Sequence, residues 1–410
     1  MEVVDIVDST LDDVLELVTA HLDHIRLLAL RPRDAHLPLE RVPAVYRAFA
    51  RAAPLLEVID VQLFDYPFPE PGRGAMLEAH IARFPCQVPA ELFSGQAPRL
   101  SQMSFRTMFH PPAAVAAFAN LVRVELDAHF LASEHIIVIV SLPRLRCLHL
   151  EVAEYIVPQM PAPQGFRLDE LWFFGRHTPP LFDPICPLLR YLGFPHIRHF
   201  TSKWDVMWLD TMTSSPRSLP HTLMIEEWRV GEDIVGTQAW RMLHDGGLVS
   251  EMLDVHTTDH FSWPDAQHVL ANLRELIIPF RELRTAEYDL EFRELTRLCV
   301  RLNATHCSRD DWPDIRIPAL KLRTIELWGG IDVSPIRIPS HDVVAFIGDF
   351  LTLDPAHRPD LVLRDVEIVQ SRGGWEEVEE LISSVHRPEE GSPESFVVEL
   401  KSKWHASVQH

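Results

Sequence analysis

Leu121-Val122-Arg123-Val124-Glu125-Leu126 and Leu145-Arg146-Cys147-Leu148-His149-Leu150 are one phrase written twice, with apolar residues at the first, fourth and sixth places. Upstream the phrase reads Ile25, Leu28, Leu30; Leu56, Ile59, Val61; and Leu100, Met103, Phe105. Downstream it reads Leu168, Leu171, Phe173; Leu189, Leu192, Phe194; Leu273, Leu276, Ile278; Leu295, Leu298, Val300; Leu322, Ile325, Leu327; and Leu363, Val366, Ile368, with weaker traces near Leu223 and Val255. From Leu100 the first anchors lie 21, 24, 23 and 21 residues apart, and from Leu273 they lie 22 and 27 apart. Such spacing falls in the ~20–29 residue period of an architecture that adds one short strand per repeat.

Each phrase predicts a turn that buries one apolar residue and a strand whose alternate side chains enter the core. A single unit leaves its apolar face uncovered, so neighbours must stack. The expected fold is therefore α/β: an irregular leucine-rich-repeat solenoid with a curved parallel sheet on its concave face and helices and loops on its convex face. An ordinary α/β domain also contains short apolar runs, but does not hold this period over most of a chain. One array is expected over residues 1–400. Within it, 203–247 reads as two degenerate repeats or an inserted arm, the former preferred, with a helix over Gly231–Leu243 closed by Gly246 and Gly247. Residues 387–395 read as a mobile loop, 396–400 as a terminal strand and 401–410 as a tail.

Helical spacing predicts helices over Thr10–Leu22, capped by Ser9 or Thr10, over Pro43–Arg51, Pro85–Phe93 and Asp342–Leu351. The run Ile136–Val140 reads as a strand at most, far short of the ~18 apolar residues of a membrane span. The first residues carry Glu2, Asp5 and Asp8 and do not read as a secretory signal. Five scattered cysteines form no zinc or redox pair, which favours a reducing compartment, cytoplasmic or nuclear. A net charge of -21 speaks against nucleic acid and anionic membrane as partners. It fits either plain solubility or a basic protein partner. Only three Asn occur, so the Asn ladder that satisfies backbone groups in consensus arrays is missing and the repeats should be irregular.

Three phrases, each ending in or leading to a repeat strand, carry a family resemblance: Val14–Leu30, Val88-Pro-Ala-Glu-Leu-Phe-Ser-Gly-Gln-Ala-Pro-Arg-Leu100 and Phe118-Ala-Asn-Leu-Val-Arg-Val-Glu-Leu126. Residues 10–200 resemble the leucine-rich-repeat region of fungal F-box proteins, and the remainder shares only the rhythm. In that family an N-terminal F-box docks the adaptor of a cullin-RING ubiquitin ligase while the repeats hold a target. The resemblance implies a target-recognition module, with the ligase adaptor as a second partner. No Leu-Pro-x-Glu-Leu/Ile opening precedes the first repeat, so the chain is expected to lack the F-box. The alternative is a free-standing interaction scaffold or decoy.

The register itself nominates a binding face, because residues between the anchors point away from the core. One column reads Gln102, Arg123, Cys147, Glu170, Tyr191; the next Ser104, Glu125, His149, Trp172, Gly193; the third Arg106, Asp127, Glu151, Phe174, Pro195. From these, Arg106, Arg123, Glu125, Asp127, Glu151, Glu170, Trp172, Phe174 and Tyr191 form the expected partner-binding set: aromatic residues rimmed by charge, as at binding hot spots. Glu275, Ile277, Arg297, Cys299, Arg301, Thr324, Glu326 and Trp328 are the equivalents in the second half.

Catalysis is not expected. His256 and His260 have helical metal spacing but lack the general-base Glu of a zinc protease, His196 with His199 and His306 with Cys307 stand alone, and Trp263-Pro-Asp and Trp312-Pro-Asp lack a nucleophile cradle. No nucleophile elbow, phosphate loop or dinucleotide fingerprint occurs, and no metal or cofactor is expected. A hydrolase or metal enzyme without a local motif is the remote alternative.

Overall fold

A computed structural model describes residues 2–32, 41–62, 88–106, 115–175, 185–194, 196–203, 220–228, 237–256, 270–280, 283, 292–302, 316–329, 335–370 and 374–387. The fold is mixed α/β, built on mostly parallel sheet. Contacts divide the chain into two compact units, Met1–Asp205 with Gly246–Val255, and Val206–Asp245 with His256–His410.

The first unit opens with β1 (Glu2–Ile6), α1 (Asp8–His21), β2 (Leu27–Pro32), α2 (Val42–Ala48), β3 (Val58–Val61) and β4 (Gln102–Arg106). It continues through β5 (Arg123–Leu131), α3 (Ser133–Val140), β6 (Cys147–Tyr155), β7 (Glu170–Gly175), α4 (Ile185–Tyr191) and β8 (His199–Lys203). The chain then gives β9 (Pro220–Trp228) and β10 (Thr237–His244) to the second unit before β11 (Leu248–His256) pairs with β8. In the first unit each strand pairs in parallel with the next, in the order β1 to β8 and then β11.

The anchors set the register. Leu28, Ile59, Met103, Val124, Leu148, Leu171 and Phe200 face one another in succession, and all are buried. The residues two positions on, from Leu30 to Phe173, form a second buried row, and the turn residues Ile25, Leu56, Leu100, Leu121, Leu145 and Leu168 a third. The same core takes in Leu11, Leu15 and Val18 of α1, whose spacing puts them on one helical stripe. The helix starts at Asp8 with Val7 at its N-cap, so Ser9 and Thr10 are not the cap but lie in the first turn, where the Thr10 hydroxyl accepts from the Val7 amide at 3.3 Å.

In place of an Asn ladder the backbone joins the strand entries. The carbonyls of Arg26, Glu57, Ser101, Val122, Arg146 and Asp169 accept in turn from the amides of Glu57, Ser101, Val122, Arg146, Asp169 and His199, at 2.7–3.0 Å. Strand-entry amides are thereby satisfied without side-chain help.

Two expectations in this unit are corrected. Leu189–Phe194 is not a strand: Leu188 and Leu189 are buried on α4, and Leu192 is buried just past its end. Gly193 ends that helix at φ +99°, and the Phe194 amide reaches back to the Leu189 carbonyl at 2.9 Å, a Schellman closure. The strand comes later, as β8, with Phe200 and Ser202 buried on it and Ile197 buried in the turn before it. Likewise Ile136–Val140 belongs to α3, where Ile136, Ile139 and Val140 are buried and the His135 ring accepts from the Ala132 amide. There burial of one stripe and a helix-start bond override the strand preference of β-branched residues.

The second unit adds β12 (Glu275–Pro279), β13 (Arg297–Arg301), β14 (Ile317–Pro318), β15 (Thr324–Trp328), β16 (Ile336–Pro339), α5 (Ser340–Val344) running into a π-turn at Ala345–Phe350, β17 (Leu351–Thr352), β18 (Asp360–Arg364), β19 (Val366–Val369), α6 (Gly374–Leu381) and β20 (Ser384–His386). Its main sheet runs β10-β9-β12-β13-β15-β18-β20, with β14 pairing β17 and β16 pairing β19 apart from it. The chain over 237–244 is strand, not helix. It forms an antiparallel hairpin with β9 in which Trp240 meets Ile225 and Met242 meets Leu223, all buried. Alternation, not a 3.6 period, is what the cross-strand partner rewards. Leu363, Val366 and Ile368 straddle two sheets, because Asp365 at φ +53° turns the chain between β18 and β19. Residues 203–219 in most part, the 231–236 stretch, the 388–395 loop, the 396–400 strand and the 401–410 tail lie outside the described residues.

Candidate functional site

On β5, β6 and β7 the residues between anchors stand on the face away from the core. Parallel register puts Arg123 beside Cys147 and Glu170, Glu125 beside His149 and Trp172, and Asp127 beside Glu151 and Phe174. Eight of the nine expected residues fall in these columns. Arg106 pairs with Asp127 at the end of β4. Tyr191 does not join them, since it lies on α4; its column passes instead to His199 on β8, while Thr201 stands beside Trp172 and Lys203 beside Phe174.

The centre of the cluster is His149, a column member that the sequence reading left out of its candidate set. Its Nε2 lies 3.1 Å from Glu170 Oε1 and 3.1 Å from Arg123 Nη2, and its Nδ1 lies 3.4 Å from Glu125 Oε1. Arg123 Nε donates to Glu125 Oε1 at 3.0 Å. The ring stacks on the Trp172 indole, with centroids 4.7 Å apart and planes 21° from parallel. Trp172 in turn meets Phe174 edge to face at 6.0 Å. The signal for His149 was present: the columns place it between two carboxylates and against an indole.

Burial pushes the Glu170 carboxyl upward, yet the hydrogen bond with His149 and the charge of Arg123 outweigh it and hold the group below its ordinary value. Burial also pushes the Cys147 thiol up to about 12, with the Glu170 charge adding to the effect. A thiol so placed is not a nucleophile at neutral pH. His199 is lowered by burial. Arg123, Glu125, His149 and Glu170 thus form a ladder in which the guanidinium and the ring between them contact both carboxylates, and Trp172 and Phe174 are half-buried beside it. Fixed aromatic faces on a sheet can take a partner's side chain with little ordering cost.

The second-half equivalents have another fate. Glu275, Arg297 and Thr324 share one column, and Ile277, Cys299 and Glu326 the next. Met224, Ile277, Cys299 and Trp328 pack into a buried apolar cluster on the face opposite the anchors. Glu326, 2% exposed, is held by Arg297 Nη2 at 2.7 Å and Arg364 Nε at 2.9 Å. Arg301 lies 4.8 Å over the Trp328 ring and 3.6 Å from Glu226, to which Arg241 donates at 2.6 Å. Burial pushes the Cys299 thiol strongly upward. Ile277, Cys299, Glu326 and Trp328 are therefore interior groups and offer nothing to a partner.

Among the described residues no group of three or more His, Cys, Asp or Glu is placed to hold a metal ion, and no helix is long and apolar enough to cross a membrane. His260, His306, Cys307 and the two Trp-Pro-Asp motifs lie outside the described residues. Compared with family models and with curated protein sequences, the chain matches none.

Proposed function

We propose that this chain is a non-catalytic protein-binding module, a leucine-rich-repeat solenoid whose concave face is the polar face of β4 to β8, acting inside the cell in cytoplasm or nucleus. It resembles the target-recognition part of an F-box subunit, and its expected role is to hold a target for a cullin-RING ubiquitin ligase. The observation that carries the reading is the half-buried Trp172–Phe174 pair, seated on a sheet of fixed register beside a hydrogen-bonded polar ladder. The one-strand-per-unit parallel pairing and the backbone ladder at each strand entry support the solenoid.

The test is affinity capture of the tagged chain from its own cells, with and without proteasome inhibition. Trp172→Ala with Phe174→Ala should weaken capture of the partner by ~2 kcal/mol or more while the circular dichroism spectrum is kept. A folded double variant that captures the partner as well as the parent does would sink the binding face. Recovery of the ligase adaptor, with partners that accumulate under inhibition, identifies a ligase receptor; partners without the adaptor identify a scaffold or decoy.

A further inference from the structure

Arg301, in the second unit, is fixed by the face of its guanidinium rather than by its edge. The group lies 4.8 Å over the Trp328 ring, and Trp328, itself buried, is the floor beneath it. Register places Arg301 and Arg364 on either side of Trp328, one strand away in each direction. Stacking uses the flat face of a guanidinium and leaves its N–H groups directed outward in the plane. The carboxylate that pairs with Arg301, Glu226, stands 3.6 Å away, too far for a hydrogen bond, and it accepts from Arg241 at 2.6 Å. Arg364 donates to Glu326 through Nε. Among the described residues, neither the Arg301 guanidinium nor the terminal nitrogens of Arg364 meet a hydrogen-bond acceptor. The Arg301 side chain is 26% exposed and that of Arg364 15%, so both are partly desolvated and both can still be reached.

We infer that Arg301 binds a carboxylate, taking one aspartate or glutamate side chain of the partner protein in the fork of its guanidinium, with Arg364 as a second cation and Trp328 as the shelf that positions the fork. This rests on the reading of the chain as a protein-binding module, and it adds a contact separate from the Trp172–Phe174 face. A guanidinium already held on an indole loses little freedom when it pairs, and its parallel N–H groups match the two oxygens of a carboxylate. The Cys299 thiol registers the local field: burial and then the Glu326 charge drive it upward, while Arg297, Arg301 and Arg364 all act against that rise. A single carboxylate fits better than a phosphate dianion or an acidic tract, because Glu226 stays beside Arg301 and the chain as a whole carries -21.

The probe is N-acetyl-glutamate amide, titrated at constant ionic strength into the full chain carrying nitrogen-15 at its arginines. The Arg301 Nε–H resonance is the one missing from Arg301→Lys or, should that variant fail to fold, the one that Trp328→Phe displaces furthest. It should move saturably with the glutamate derivative and stay in place with N-acetyl-glutamine amide. No movement with glutamate, an equal drift of every arginine resonance, or saturation by inorganic phosphate alone overturns the inference. Arg301→Lys keeps the charge but loses the fork, and should weaken partner capture about tenfold. Trp328→Phe keeps a ring under the guanidinium and should retain part of the affinity for both probe and partner. If glutamate binds but folded Arg301→Lys captures the partner as well as the parent does, the carboxylate is not the partner's: the inference falls and the protein-binding module stands. If capture depends on Arg301 and ignores Trp172 and Phe174, the inference stands and the Trp172–Phe174 face falls.

Discussion

Glu170 shows how one carboxylate is fixed by its neighbours. Burial alone would raise it, but His149 and Arg123 bring it below its ordinary value of 4.5. A carboxyl whose folded value is depressed adds stability above its unfolded value, ~4.3, and loses it as the pH falls through the lower folded value. The thermal midpoint should therefore drop as the pH is taken below about 4.5, and Glu170→Gln should flatten that part of the curve. A variant with the parent's slope would show that other acids set it. His149 belongs to the same scale: the sequence put it between Glu125 and Glu170, but only side-chain geometry made it the point where ladder and indole meet.

At the scale of elements, α4 displays the limit of pattern reading. Leu189, Leu192 and Phe194 satisfy the strand phrase, while Leu188, Leu189 and Leu192 satisfy a helical stripe, and the phrase cannot choose between them. Gly193 chooses, because its left-handed conformation closes a helix. Gly193→Ala should cost ~1–2 kcal/mol of stability, read as a lower urea midpoint, because the added Cβ is strained at φ +99°. An unchanged midpoint would mean that the turn does not need that conformation. Across β13, β15 and β18, Glu326 ties three strands through Arg297 and Arg364. Its removal leaves two partly buried cations without that anion, so Glu326→Ala should cost ~3–5 kcal/mol, with Glu326→Gln between the two. A loss below 1 kcal/mol would show that the arginines reach water or another acid.

For the whole molecule the governing quantity is charge. With 59 acidic against 38 basic residues, self-repulsion opposes the compact state, and added salt screens it. The thermal midpoint should rise as sodium chloride is raised from low ionic strength to ~0.3 M, where the Debye length has fallen to roughly 6 Å. A falling midpoint would show that the specific pairs, Arg123–Glu125 and Arg297–Glu326 among them, outweigh the general repulsion. Partner capture should weaken over the same range if the target is basic.

Sequence by itself determined the strands that hold the polar face. Val124 with Leu126, Leu148 with Leu150 and Leu171 with Phe173 are legible because alternation along a strand is local, and because equal anchors in successive units can pair in only one register without exposing a whole row. It likewise placed Trp172, Phe174 and Glu151 side by side. Tertiary structure decided what no local period contains: that 189–194 coils while 199–203 extends, that 237–244 extends against β9, and that Cys299, Glu326 and Trp328 are interior although their first-half counterparts meet solvent. Exposure of a sheet face depends on what the rest of the chain lays over it, and that is a property of packing, absent from the order of residues along one strand.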